Sequence, residues 1–359
     1  MKSLWRPSNL VPVLALACLF ATTTWPEVRL LGWLCVPALI AAVLAAVHHA
    51  EVVAHRVGEP FGTLVLAVAV TVIEVALIVS MMLAGGSDKT GLARDTIFSA
   101  IMIVCNGAVG LCVIAGGLKH HEQSFRLEGA TSAMAALIVL ATLSLVLPVF
   151  TTTEPGPDFY SNSQLAFAAA ASLALWAVFV FVQTVRHRDY FLPPASPGDE
   201  SVHAPPPSAR LAWASFGLLL VSLAAVIGLA KALSPSIERV VASAGLPATV
   251  IGIVIALLVL APESWAAVRA ARADRLQTSL NLALGSALAS IGLTIPAVAI
   301  LSIALDRPLR LGLTPKDLVL LALTFAVGAI TLGTGRTNVL QGAVHLLIFA
   351  AFVFLAIVP

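Results

Sequence analysis

The stretch Phe61-Gly-Thr-Leu-Val-Leu-Ala-Val-Ala-Val-Thr-Val-Ile-Glu-Val-Ala-Leu-Ile-Val-Ser-Met-Met-Leu83 decides how this chain is read. It exceeds the roughly 20 apolar residues that carry a helix across a hydrocarbon layer, yet it holds a carboxylate, Glu74, at its middle. A second such run, Val250 to Val268, holds Glu263 directly after Pro262. A carboxylate in hydrocarbon costs about 2.5–3.5 kcal/mol even on lenient insertion scales. Two of them ask for a functional reason, and both read as cation or proton sites.

The surrounding chain, 359 residues in all, is 59% hydrophobic and 11% charged, with a mean hydropathy of +1.00. A soluble protein of this length needs a wetted surface that such a composition does not supply. Repeated apolar runs joined by short polar loops are the pattern of an all-α integral membrane protein embedded in the lipid bilayer. A net charge of +2 without a basic patch gives no support to nucleic acid as a partner. Cys18, Cys35, Cys105 and Cys112 lie in apolar runs and form no Cys-x-x-Cys pair, which argues against disulfides and thiolate metal sites. The start, Met1-Lys-Ser-Leu-Trp-Arg6 before Val11 to Phe20, has the outline of a signal peptide. In a chain hydrophobic to its last residue, a retained first helix is the expectation.

Eleven spans follow from the runs, at approximately 9–24, 30–50, 61–84, 96–117, 128–150, 164–185, 211–232, 247–268, 277–304, 317–333 and 339–358. The long polar connection from Arg186 to Arg210 is dense in proline and reads as a flexible linker. The expected organisation is an extra N-terminal helix (1–28), a first five-helix repeat (29–186), a linker (187–210) and a second five-helix repeat (211–359). With the N-terminus inside, twelve Lys and Arg residues fall in cytoplasmic segments and eight outside. That bias predicts a cytoplasmic N-terminus, a cytoplasmic linker and a periplasmic C-terminus. Glu74 is then on the third span and Glu263 on the eighth, so the two helices cross in opposite directions. Two inverted repeats that bring their sites together near the bilayer midplane have this arrangement.

At these residues the chain resembles the calcium/cation:proton antiporter family, and most closely its bacterial sodium–calcium/proton antiporter branch (the ChaA type). The resemblance rests on Glu59-Pro-Phe-Gly-Thr-Leu-Val-Leu-Ala67 with Thr71-Val-Ile-Glu-Val75, and on Ala261-Pro-Glu-Ser264 with Asn281-Leu-Ala-Leu-Gly-Ser286. Gly335-Arg-Thr-Asn-Val-Leu-Gln-Gly-Ala-Val-His345 completes it. It implies that Glu74 and Glu263 are the family's cation and proton sites. The family's hallmark Gly-Asn-x-x-Glu element departs here, with Val70-Thr71 and Val259-Leu260 at the Gly-Asn positions and Ser264 after the second glutamate. Thr71 replaces one lost oxygen, whereas Leu260 replaces none. The resemblance thus implies proton-coupled cation exchange more firmly than high-affinity calcium selectivity.

The chemistry agrees with that expectation. Calcium takes six to eight oxygen ligands, and two carboxylates from opposed helices balance its charge. Thr71, Ser286, Ser290, Asn106 and Asn281, with carbonyls freed beside Pro262, are further candidate oxygen donors. A buried carboxylate without a cation prefers its proton, and a bound cation favours the ionised form, so the two compete for one site. Calcium, sodium, potassium and protons are cargo on this reading, and no cofactor is expected. A passive channel is the nearer rival and an intramembrane hydrolase the more distant one; the chain has no His-Glu-x-x-His element. The histidines His48, His49, His55, His120 and His121 read as solvated helix ends. His345 reads either as a proton relay or as packing, and Arg336 as an interfacial anchor or a tether for loop glutamates.

Overall fold

The structure, a computed structural model, describes residues 7–25, 29–58, 61–84, 90–152, 156–192 and 207–358. Most of the expected linker lies outside these residues. Among the described residues eleven helices are seen: α1 (Pro7–Thr24), α2 (Arg29–Val57), α3 (Phe61–Ala84), α4 (Leu92–His120), α5 (Leu127–Phe150), α6 (Asn162–Arg186), α7 (Ala209–Ser243), α8 (Thr249–Arg272), α9 (Leu276–Ala304), α10 (Pro315–Leu332) and α11 (Val339–Ile357). Nine are long and apolar enough to cross a membrane, while the described apolar parts of α1 and α3 (Asn9–Thr24 and Val68–Met82) are shorter. The protein is an all-α multi-pass membrane protein.

Several helices outlast their apolar runs. α2 continues to Val57 and α7 to Ser243, past the expected ends near 50 and 232. The extension of α7 runs through Pro235 and is held by Ser234 Oγ donating to Glu238 Oε1 (2.7 Å) and Arg239 Nε donating to the Pro235 carbonyl (3.1 Å). Hydropathy marks where hydrocarbon ends, and a helix stops only where its backbone bonds do. His49 illustrates the correction: it lies inside α2 and is 1% exposed, whereas its neighbour His48 faces outward.

The chain forms two compact units. The first joins α1, α2, α3 and α7. Within it α2 packs along α7, and α1 and α3 each lie against both. Ala42, Ala46 and Ala50 on α2 and Ala225 on α7 are buried, and such small side chains let membrane helices approach closely.

The second unit holds α4, α5, α6, almost all of α8, and α9 to α11. α4 is the most buried of the membrane-crossing helices and packs against α9 and α11, while α9 also packs along α5 and α6. A π-turn, Ile103–Ala108, interrupts the middle of α4. Gly252, near the start of α8, allows contact with α4, since a Cβ there would meet the Asp95 backbone at 2.9 Å.

Loops of the second unit sort onto two ends. At one end β1 (Glu122–Ser124) pairs antiparallel with β2 (Arg336–Asn338), joining the α4–α5 and α10–α11 turns. Gln123 Nε2 donates to the Ala271 carbonyl (2.9 Å) and to Asp274 Oδ1 (2.8 Å), adding the α8–α9 turn to this clasp. Gly116 makes room for it, because Gln123 occupies the place of a Cβ. Arg336 is the tether among the two readings, pairing with Glu122 at 3.3 Å. At the opposite end Arg310 N donates to the Thr90 carbonyl (3.1 Å), and Leu311 N and Gly312 N donate to the Asp158 carbonyl (3.0 and 2.9 Å). Turns that alternate along the chain thus collect at alternate ends, as consecutive membrane crossings require.

Candidate ion-binding site

Glu74 lies on α3 in the first unit and is 3% exposed. Val70, Thr71, Ile73, Leu77, Ile78 and Met81 are buried with it, while Val68 and Val72 are exposed. The buried positions recur every three to four residues, so Glu74 occupies the centre of the protein-facing stripe. Thr71 precedes it by three residues, one turn away on that stripe.

Glu263 lies on α8 in the second unit and is half-buried. Ala256, Val259, Leu260 and Ala267 are buried above and below it, and Val254, Leu257 and Trp265 are exposed. It therefore faces protein as well. Ser286 of α9 donates its hydroxyl to Glu263 Oε2, joining two of the expected site residues across helices. Ser290 is buried one turn further along α9. Pro262 sits inside α8 and has no N–H to give the carbonyl of Leu258, which leaves a backbone oxygen outside the helical ladder next to Glu263.

The two asparagines have other engagements. Asn281 Nδ2 donates to the Phe191 carbonyl (2.5 Å) and its Oδ1 accepts from Gln277 Nε2 (2.9 Å), which ties α9 to the segment after α6. Asn106 lies in the π-turn of α4, fully buried. Its Nδ2 donates to Thr324 Oγ1 of α10 (2.9 Å), and its Oδ1 lies 3.2 Å from His345 Nδ1 of α11. Thr331 Oγ1 is 3.1 Å from His345 Nε2. The sequence reading passed over Thr324 and Thr331; their spacing of seven on one apolar helix was the available signal.

Among the described residues no three or more His, Cys, Asp or Glu side chains gather as a metal centre. Among the described residues the Glu263 carboxylate has the Ser286 hydroxyl beside it, and carboxylate and hydroxyl oxygens are donors that suit hard cations.

Two segments, residues 30–185 and 214–358, match the family described as sodium/calcium exchanger protein. The chain belongs to the sodium/calcium exchanger family. The first matched segment of the exchanger carries Glu74 and the second carries Glu263. The exchanger is 53% identical over 324 residues to the ionic transporter y4hA of Sinorhizobium fredii (strain NGR234), covering 89% of this chain and 87% of that one. It is 36% identical to the sodium-potassium/proton antiporter ChaA of Escherichia coli (strain K12) over 98% of its own length and 96% of the relative's. Its fold superposes on the native YfkE structure with a TM-score of 0.73 at 18% identity, covering 97% of this chain and 99% of the other. The proton/calcium exchanger CAX superposes with a TM-score of 0.68 at 15% identity, over 97% and 89% of the two chains. The exchanger is thus a transporter and not an enzyme.

Proposed function

We propose that this exchanger is a secondary active antiporter that moves cytoplasmic cations outward in exchange for external protons. Glu74 and Glu263 both take up the transported ion. The observation that carries the reading is a carboxylate on the protein-facing stripe of one membrane helix in each family-matched segment. An ionised carboxylate in so apolar a setting is costly, and either a proton or a cation relieves the cost. Competition between them is what couples the two flows. A transporter with both acids ionised and nothing bound should rarely reorient, which keeps protons and cations from leaking singly.

The cargo is calcium, sodium or potassium. Val259 and Leu260, buried at the Gly-Asn positions of the second segment, offer no side-chain oxygen, which favours a site tolerant of monovalent ions. The name of the Escherichia coli relative, a sodium-potassium/proton antiporter, agrees with that breadth. The transport cycle is alternating access by two inverted repeats, α2–α6 and α7–α11. The membrane is a bacterial inner membrane, with the clasp end of the second unit in the cytoplasm.

Everted membrane vesicles test the reading. After a pH gradient is formed, adding calcium, sodium or potassium should collapse it, with membrane voltage clamped by potassium or, for the potassium arm, by a permeant anion. The E74Q and E263Q variants should each lose the response. Full activity in either would overturn the role of that carboxylate. Collapse that disappears under the voltage clamp would point to a passive channel.

A further inference from the structure

The second unit buries a hydrogen-bonded chain that runs through three helices. Thr331 and Thr324 come from α10, His345 from α11 and Asn106 from the π-turn of α4, and all four are buried. Donor and acceptor counting gives the chain a direction. Thr324 Oγ1 lies 2.8 Å from the Leu320 carbonyl, to which only its hydroxyl proton can bond. That leaves the Thr324 oxygen as acceptor for Asn106 Nδ2 at 2.9 Å. The Asn106 carbonyl oxygen then turns to His345 Nδ1 at 3.2 Å, so Nδ1 carries the ring proton. A neutral ring has its lone pair on Nε2, which accepts from Thr331 Oγ1 at 3.1 Å.

Every polar atom of the imidazole is used, and used toward α4 on one side. A π-turn departs from the regular i→i+4 backbone ladder and is often found at functional sites. This one packs directly against α9, the helix whose Ser286 bonds Glu263. We infer that His345 is a positioning residue for transport: its Nδ1–H holds the Asn106 carboxamide and thereby sets the π-turn of α4 against α9. The inference rests on the antiport reading above. His345 itself touches no transported ion; it acts through Asn106.

Three substitutions separate positioning from packing. In H345N the side-chain amide reaches the place of Nδ1, and in H345Q it reaches the place of Nε2, while H345L fills space without donating. Cation-driven proton flux is measured in vesicles against cation concentration. H345N is expected to keep the cation KM within about twofold of the native protein, whereas H345L and H345Q raise it by roughly tenfold with a smaller change in maximal rate. The same order is expected when N106A is the background-free comparison: H345L added to N106A should do no further harm. Equal behaviour of H345N and H345Q, or a native KM in H345L, overturns the inference. If H345L fails to accumulate in the membrane, the contrast between H345N and H345Q decides alone. Should E263Q retain native flux while H345N still exceeds H345Q, the carboxylate reading fails and the positioning role of His345 stands.

Discussion

Glu74 and Glu263 hold comparable places in the two matched segments and have unlike surroundings. Glu74 is set in an unbroken helix among Val70, Ile73, Leu77 and Ile78, and is nearly sealed from solvent. Glu263 follows a proline, is half-buried, and accepts a hydroxyl from Ser286 on the next helix. The contrast teaches that two acids at corresponding places in the matched segments need not meet the same kind of neighbours.

The sharpest way to break that contrast is to neutralise each acid and then both. E74Q and E263Q should each lower cation-coupled proton flux by roughly 100-fold or more, and the proposal that both acids serve one transported ion predicts a double variant no worse than either single one. Additive losses would mean that the acids serve separate ions. Next in size is the serine. S286A should raise the cation KM by roughly five- to tenfold at little cost in maximal rate, as expected for loss of a hydrogen bond to a charged group. In an E263Q background the same change should add nothing measurable.

Selectivity probes the contrast from the other direction. Thr71 already places an oxygen one turn from Glu74, while Leu260 places none near Glu263. L260N should therefore shift preference toward calcium over sodium by roughly fivefold, and T71N by less than about twofold, read from competition in the vesicle assay. An equal shift in both variants would show that the two acids see the cation alike.

The smallest effects concern the clasp below α8. Gln123 is buried and caps the Ala271 carbonyl, so Q123A should destabilise the folded protein by about 1–3 kcal/mol. Arg336 and Glu122 form an exposed pair, and R336A should cost less than about 1 kcal/mol. Thermal unfolding in detergent distinguishes them, and a larger loss for R336A would mean the pair matters more than its exposure suggests.

Much of the exchanger was legible before any fold was seen, for a reason specific to membranes. Hydrocarbon forces every backbone polar group into a helix and every helix into an apolar run of near-constant length, so eleven spans could be counted from composition. The same constraint made Glu74 and Glu263 conspicuous, since nothing else in their runs is charged. Helix ends at Val57 and Ser243 were not legible, because continuing backbone bonds leave no hydropathic mark.

Other features came from contacts that no local pattern encodes. Asn106 was singled out as a cation donor, yet its partner His345 is 239 residues away and Thr324 is 218 away. The β1–β2 clasp likewise joins two turns whose residues have no strand signature of their own. Composition and spacing settled that the chain crosses a membrane repeatedly and singled out Glu74 and Glu263 within its apolar runs, because burial in lipid penalises every charge placed there. Only the packed helices decided which hydroxyl meets Glu263, which face Glu74 presents and how Asn106 is held. Those outcomes depend on distances between side chains far apart in the chain, and folding alone sets them.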